Sequence, residues 1–173
     1  MRFPLLTLLP TVLLSLGVFS QVARAEIPDE FQPLVVRPAF GFSERLVDLT
    51  PAFEMSKQVN KPILVYLGAA DCPPCKDYTL FLMRNKDDMK AALGNVVLVD
   101  IRTWLKGPKL SFKIYDKAYT VAEFKARIGD SNKGLYYPSW WLITADGKQL
   151  RQLPQGSTNF TSVESHIRLI KGS

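Results

Sequence analysis

The segment from Lys61 to Lys76, KPILVYLGAADCPPCK, constrains the fold more than any other part of the chain. It begins with a nearly continuous apolar run from Ile63 to Leu67, which is short and is typical of a strand buried on both faces. Two prolines follow, and a helix tolerates proline only in its first turn. Pro73 and Pro74 therefore predict that a helix begins there and extends to about Met83.

The elements after this segment complete an α/β pattern. A second apolar run, VVLVDI, is predicted to be a strand, and two strands joined by a helical crossover form a βαβ unit. Further along, Thr120-x-x-Glu123 is a capping box that predicts the start of a helix ending before Gly129. The remaining predictions are a helix at Pro51–Val59, a strand at Ser139–Thr144, its hairpin partner at Gln149–Leu153 and a terminal helix to about Ile170.

The length and composition favour one domain. The chain has 173 residues, 47% of them hydrophobic, which is enough for one sizeable core. We expect an N-terminal extension at residues 26–50 and an α/β domain at residues 51–173, with a central mixed sheet flanked by helices. An insertion at residues 104–119, before the third helix, is rich in lysines and aromatic residues. We interpret it as a solvated excursion with a few buried rings, in preference to a docking surface for an acidic or membrane-bound partner.

The first residues predict export. Arg2 precedes the apolar run Phe3–Phe19, and Ala23 and Ala25 supply small residues at the two key positions before a cleavage site. Residues 1–25 are therefore predicted to be a signal peptide, which places the product in the periplasm or an equivalent exported compartment, where disulfides persist. The net charge of +6 is modest and its basic residues are scattered among acids, which disfavours nucleic acid as a partner.

Cys72 and Cys75 are the two cysteines of the chain, and their C-x-x-C spacing has three interpretations. A permanent crosslink is disfavoured because closing so short a loop gains little chain entropy. Zinc needs four ligands, and His166, which we expect on the surface, is the single histidine. A two-coordinate Cu(I) site of a metallochaperone remains an alternative, because thiolates select this ion. The third interpretation is a redox-active pair.

Taken together, these motifs resemble the thioredoxin superfamily, from Pro51 to the C-terminus. Within it, the chain looks most like exported members such as the C-terminal domain of the inner-membrane disulfide reductase. The resemblance implies a thioredoxin fold and a protein thiol-disulfide oxidoreductase whose redox-active disulfide needs no bound cofactor. Its partners would be exported proteins with disulfides or thiols and a membrane or soluble electron donor. Three features carry the resemblance: KPILVYLGAADCPPCK, the Tyr137-Pro138 pair that enters a strand, and the ADGK hairpin turn.

The resemblance also implies roles for single residues. Cys72, at the helix N-terminus, is expected to be the nucleophile, because the helix dipole and free N–H groups stabilise a thiolate there. Cys75 is expected to resolve the mixed disulfide, and Lys76 adds a weak positive field. Pro138 corresponds to the superfamily's cis-proline, which leaves the backbone of Tyr137 exposed for a substrate chain to pair with.

The chain departs from the family pattern at three positions. Tyr66 stands where thioredoxins carry a buried acid, Asp71 where they carry a tryptophan, and Thr79 where the exported reductase domain carries a glutamate. The proton acceptor for the resolving thiol is therefore open, with Asp71, Asp77 and water as the candidates.

The sequence around the cysteines favours a reductase. Pro73 and Pro74 have no N–H groups, so the Cys72 thiolate depends on the N–H of Cys75. The negative charge of Asp71 raises the pKa of a neighbouring thiol. A less stable thiolate means a lower potential and hence a reducing tendency. The alternative is a disulfide donor, if the rigid CPPC loop strains the disulfide.

Overall fold

The computed structural model describes residues 25–156 and 162–171. Apart from Ala25, the predicted signal peptide lies outside the described residues. Within these ranges the chain is mixed α/β, with five α-helices and two mixed sheets. The strands are β1 (Leu34–Val36), β2 (Ala39–Phe40), β3 (Glu44–Asp48), β4 (Ile63–Ala69), β5 (Val97–Thr103), β6 (Lys109–Ile114), β7 (Lys117–Thr120), β8 (Ser139–Ile143) and β9 (Gln149–Arg151). The helices are α1 (Thr50–Val59), α2 (Pro73–Arg84), α3 (Lys86–Leu93), α4 (Val121–Ile128) and α5 (Val163–Lys171).

The larger sheet has the strand order β1-β5-β4-β8-β9. Its central strand, β4, is parallel to β5 and antiparallel to β8. All seven residues of β4 are buried, as the apolar run in the sequence predicts for a strand covered on both faces. One face, with Val65 and Leu67, packs against α1, α4 and the second sheet, and the other, with Leu64 and Tyr66, packs against α2, α3 and α5.

The second sheet, of order β2-β3-β6-β7, corrects the interpretation of the insertion. Residues 109–120 are not a solvated excursion but a hairpin, β6 and β7, whose first strand runs parallel to β3 of the N-terminal extension. Phe112 of β6 is fully buried and stacks on Phe124 of α4 with ring centroids 4.3 Å apart. The extension therefore contributes strands to both sheets, because β1 pairs with β5.

Helix boundaries close to the predicted ones follow from local chemistry. Helix α2 begins at Pro73, with its two prolines in the first turn, where no intrahelical N–H is required. At α4, Thr120 accepts a hydrogen bond from the N–H of Glu123, and the Glu123 carboxylate accepts one from the N–H of Thr120. Both predictions are confirmed. No helix in the described ranges is long and apolar enough to cross a membrane.

The expectation that His166 lies on the surface is wrong. Its side chain is 2% exposed, and its Nε2 lies 2.7 Å from the hydroxyl of Tyr78. Burial lowers the pKa of His166 to about 3, so the imidazole is neutral at physiological pH. The ring belongs to an aromatic cluster with Tyr66, Tyr78 and Trp140, in which Trp140 lies 4.5 Å from each of the two tyrosine rings.

Replacing Gly68 with alanine should lower the free energy of unfolding by about 1–3 kcal/mol. A Cβ at this position would lie 2.6 Å from Cε1 of Tyr66, and that ring is held between Tyr78 and Trp140. Urea unfolding measures the loss. Gly41→Ala is the control, because its Cβ would approach nothing closer than 3.5 Å, and its effect should stay within about 0.5 kcal/mol. Equal losses in the two variants would contradict this account of the packing.

Candidate active site

The cysteines lie at the carboxyl end of the central strand. β4 ends at Ala69, and Cys72 is the N-cap residue of α2. The N–H of Cys75 donates a hydrogen bond to Cys72 Sγ over 3.2 Å. The two prolines between the cysteines carry no N–H, so Cys75 supplies the first N–H of the helix. The sequence predicts this donor for Cys72.

Cys72 and Cys75 form a disulfide, with Cα atoms 5.3 Å apart. The two residues are 1% and 0% exposed and share a small buried cluster with Ala25 and Ala69. Tyr137 packs against the same cluster. A partner disulfide therefore reaches the sulfurs only when the groups that cover them give way, and one of these, Ala25, is the last residue of the predicted signal peptide.

Tyr137 and Pro138 lie beside the cysteines because of the pairing between β4 and β8. Ser139, the first residue of β8, is opposite Leu67 near the end of β4, and the Tyr137–Pro138 peptide bond just before it is cis. Pro138 is buried and Tyr137 is partly buried. Burial raises the pKa of the Tyr137 phenol, and the positive charge of Arg45 opposes that shift.

Asp71 and Lys76 flank the pair differently. The carboxylate of Asp71 is exposed and accepts a hydrogen bond from the backbone N–H of Leu105 over 2.8 Å. This contact ties the loop before Cys72 to the turn after β5. Lys76 is half-buried on the first turns of α2, and Asp77 is exposed.

Asp100 is the residue that sequence reasoning missed. It lies on β5 directly opposite Tyr66 of β4 and is completely buried. Its Oδ2 accepts hydrogen bonds from the N–H of Ile27 over 3.1 Å and from Nε of Arg102 over 2.7 Å. Burial raises the pKa of Asp100 to about 6, although Arg102 acts in the opposite direction. An acid within the apolar run VVLVDI was a signal that could have identified it.

A short segment of the chain connects Asp100 with Cys75. The hydroxyl of Thr79 lies 2.9 Å from the carbonyl oxygen of Glu26 and 3.1 Å from that of Cys75. Ile27, which follows Glu26 in the chain, donates its N–H to the Asp100 carboxylate. The carboxylate of Glu26 lies 3.0 Å from the guanidinium of Arg102. Thr79 thus anchors this segment beside Cys75.

Two buried oxygen atoms on this face of the sheet have no hydrogen-bond partner among the described residues: the Tyr66 hydroxyl and Asp100 Oδ1. Both side chains lean toward the end of the sheet that carries the cysteines. The Tyr66 ring lies against Gly68, and Asp100 binds the guanidinium of Arg102. A buried carboxylate oxygen without a partner is unfavourable, which favours the protonated form of Asp100, whereas the Tyr66 phenol already carries its proton.

Within the described ranges, no group of three or more histidine, cysteine, aspartate and glutamate residues is arranged to hold a metal ion. Comparisons of the chain with protein-family models, with curated proteins and with solved structures find no match. What the site does is therefore inferred from its own residues.

Asp100→Asn should make folding stability less dependent on pH. A carboxyl whose pKa is raised by folding stabilises the fold below its unfolded pKa of about 3.9, and that contribution is lost as pH rises through about 6. Between pH 4 and pH 7, the variant should therefore gain about 2–3 kcal/mol in free energy of unfolding relative to the wild type, as measured by urea titration at each pH.

Asp130→Asn is the matched control. Hydrogen bonds from Trp141, Asn132 and Gln152 outweigh burial and lower the pKa of Asp130. Its substitution should therefore become more destabilising as pH rises, the opposite trend. The same trend in the two variants would contradict the environment described for Asp100.

Proposed function

We propose that the chain is an exported thiol-disulfide oxidoreductase of the thioredoxin superfamily that exchanges electrons with disulfides of other proteins. The observation that carries the proposal is the position of the disulfide, with Cys72 capping a helix at the end of a doubly covered central strand. A helix start supplies N–H groups and a favourable dipole to a thiolate, whereas a purely structural crosslink has no need of either. The central mixed sheet with helices on its faces and a cis bond before β8 agrees with what the resemblance implies for a thioredoxin fold.

The reaction begins from the reduced pair. The thiolate of Cys72 attacks one sulfur of a client disulfide, a Cys72–client bond forms, and the second client sulfur leaves as a thiolate. Cys75 then loses its proton and attacks Cys72 Sγ, which forms the Cys72–Cys75 disulfide and releases the first client sulfur. Two electrons pass from the protein to the client. A dithiol electron donor, membrane-bound or soluble, returns the pair to its reduced form by the reverse exchange.

Asp100 is the proposed acceptor for the proton that Cys75 releases. Asp71 and Asp77, the acids considered from the sequence, are exposed, and the Asp71 carboxylate is engaged by Leu105. Asp100 is buried on the α2 face of the sheet and is linked to the helix turn of Cys75 through residues 26–27 and Thr79. A pKa of about 6 suits a group that must both accept and release a proton near neutral pH.

The environment of Cys72 supports a reducing direction. A helix start usually offers several N–H groups to a sulfur at its N-cap, but here the first two residues of the helix are prolines and have none. The hydrogen bond to Cys72 Sγ comes from the N–H of Cys75. A thiolate with fewer donors is less stabilised relative to the disulfide, so the reduced form gives up its electrons more readily. The clients would be exported proteins whose disulfides require reduction.

The redox potential of the pair should lie near the value for thioredoxin, about −270 mV. Equilibration with dithiothreitol or glutathione buffers, followed by thiol counting, measures it. A potential of about −120 mV, the value of strongly oxidising family members, would reverse the assigned direction.

Cys75→Ser should accumulate a mixed disulfide with a model client, because the resolving thiol is missing, while Cys72→Ser should not. Failure of both variants and of the wild type to react would contradict the proposed function.

Asp100→Asn should slow the resolving step by at least about tenfold at pH 7, because the proton of Cys75 then lacks its buried acceptor. Decay of a preformed mixed disulfide, followed by rapid quenching, isolates this step from the attack of Cys72. The wild-type rate should rise with pH through about 6, and the variant should lose that rise. Asp77→Asn removes an exposed acid from α2, the helix of Cys75, and should leave the rate unchanged. An equal loss of rate in this variant would argue against Asp100 as the proton acceptor.

A further inference from the structure

An exposed apolar patch lies next to the cysteines. Phe40, Trp104 and Leu105 are 62%, 48% and 43% exposed, and the rings of Phe40 and Trp104 are in contact, with centroids 6.0 Å apart. Single exposed apolar side chains are ordinary, but neighbouring ones that come from two separate parts of the chain mark an interaction site. These three residues are called the docking patch below.

The docking patch is joined directly to the loop that carries the nucleophile. The N–H of Leu105 donates to the carboxylate of Asp71, the residue before Cys72, over 2.8 Å. One residue earlier in that loop, the N–H of Ala70 donates to the carbonyl of Thr103 over 2.8 Å. A polypeptide whose cysteine reaches Cys72 therefore passes beside this patch.

Arg45 holds the patch in place from below. Its side chain is 4% exposed, and its guanidinium donates to the carbonyl oxygens of Pro108 and Trp104 over 2.8 and 2.7 Å and to the hydroxyl of Thr103 over 2.8 Å. The positive charge of the same guanidinium also acts on the Tyr137 phenol, where it opposes the rise in pKa that burial causes. Gly107 allows this packing, because it has φ of +140° and a Cβ there would lie 3.4 Å from the guanidinium. The turn is thus preorganised, which reduces the entropy lost on binding.

The charges around the docking patch select the kind of client. Lys106 is exposed in the same turn and Lys109 at the start of β6, and neither lysine forms an ion pair with a described residue. The Glu44 carboxylate, opposite Lys109 on β3, accepts a hydrogen bond from Ser111, and the Asp71 carboxylate accepts one from the backbone of the turn. Without the predicted signal peptide, which contains Arg2 and Arg24 and no acid, the net charge of +6 becomes +4. An acidic residue of a client would therefore find two lysines here that have no ion-pair partner among the described residues.

We propose that the docking patch recognises an extended client segment that carries an apolar side chain and an acidic residue beside its disulfide-bonded cysteine. The inference rests on the proposed function and adds a substrate class to it. The apolar side chain packs on Phe40 and Trp104, the acid lies near Lys106 and Lys109, and the cysteine sulfur faces Cys72.

The test compares three substrates: glutathione disulfide and two peptides, each linked to glutathione through its cysteine, one with the sequence context Leu-Glu and the other with Gly-Lys. The wild type should reduce the Leu-Glu peptide about tenfold faster than the Gly-Lys peptide at low substrate concentration. Trp104→Ser and Phe40→Ser should each remove most of that preference, chiefly through a higher KM, and leave the rate with glutathione disulfide within about twofold. Leu150→Ser is the control, because Leu150 is 47% exposed on β9, at the far edge of the larger sheet.

The outcomes separate this inference from the function on which it rests. A wild type that reduces none of the three substrates contradicts both. Normal reduction of glutathione disulfide with no peptide preference, or with a preference that the two variants keep, overturns the docking patch alone. Adsorption to vesicles of phosphatidylserine and phosphatidylcholine that Trp104→Ser abolishes, without peptide preference, would assign the patch to a membrane surface and also overturn the proposal.

Discussion

Burial of β4 on both faces is the constraint on which the rest of the structure depends. A strand with apolar side chains on both sides is stable only at the centre of a sheet with a layer packed on each face. Its parallel neighbour β5 places Thr103 opposite Ala69 and Asp100 opposite Tyr66, and its antiparallel neighbour β8 follows directly after Tyr137, which packs against the cysteines. The site is assembled from three adjacent strands because the central one has no solvent-facing side.

Much of this architecture could be predicted from the sequence, where short-range chemistry decides. The apolar run of β4, the two prolines that must begin α2 and the capping box at Thr120 are each specified by a few neighbouring residues. The cysteine pair at a helix start follows from the same local signals. These features survive in the fold because local preference and global packing agree.

The residues that sequence reasoning missed depend on contacts between distant parts of the chain. Arg45 reaches residues more than fifty positions away, and Asp100 is paired with Ile27, 73 positions earlier. The second sheet was missed because β3 and β6 are far apart in the chain, although the alternation in KLSFKI resembles a half-buried strand. His166 was assigned to the surface because a lone histidine carries no signal of which helix face will be covered.

The aromatic cluster beneath the cysteines has a consequence for electron exchange. Tyr78 lies three residues after Cys75. Its ring packs against Tyr66 of β4, Trp140 of β8 and His166 of α5. The second turn of α2 is thereby packed against three other elements of the fold, β4, β8 and α5, whereas the first turn contacts the ring of Tyr137. Making and breaking the disulfide should therefore displace the first turn and the residues that cover the sulfurs, and leave the second turn in place. In the proposed function, displacements confined to this part of the molecule would let the protein change between two oxidation states without loosening its core.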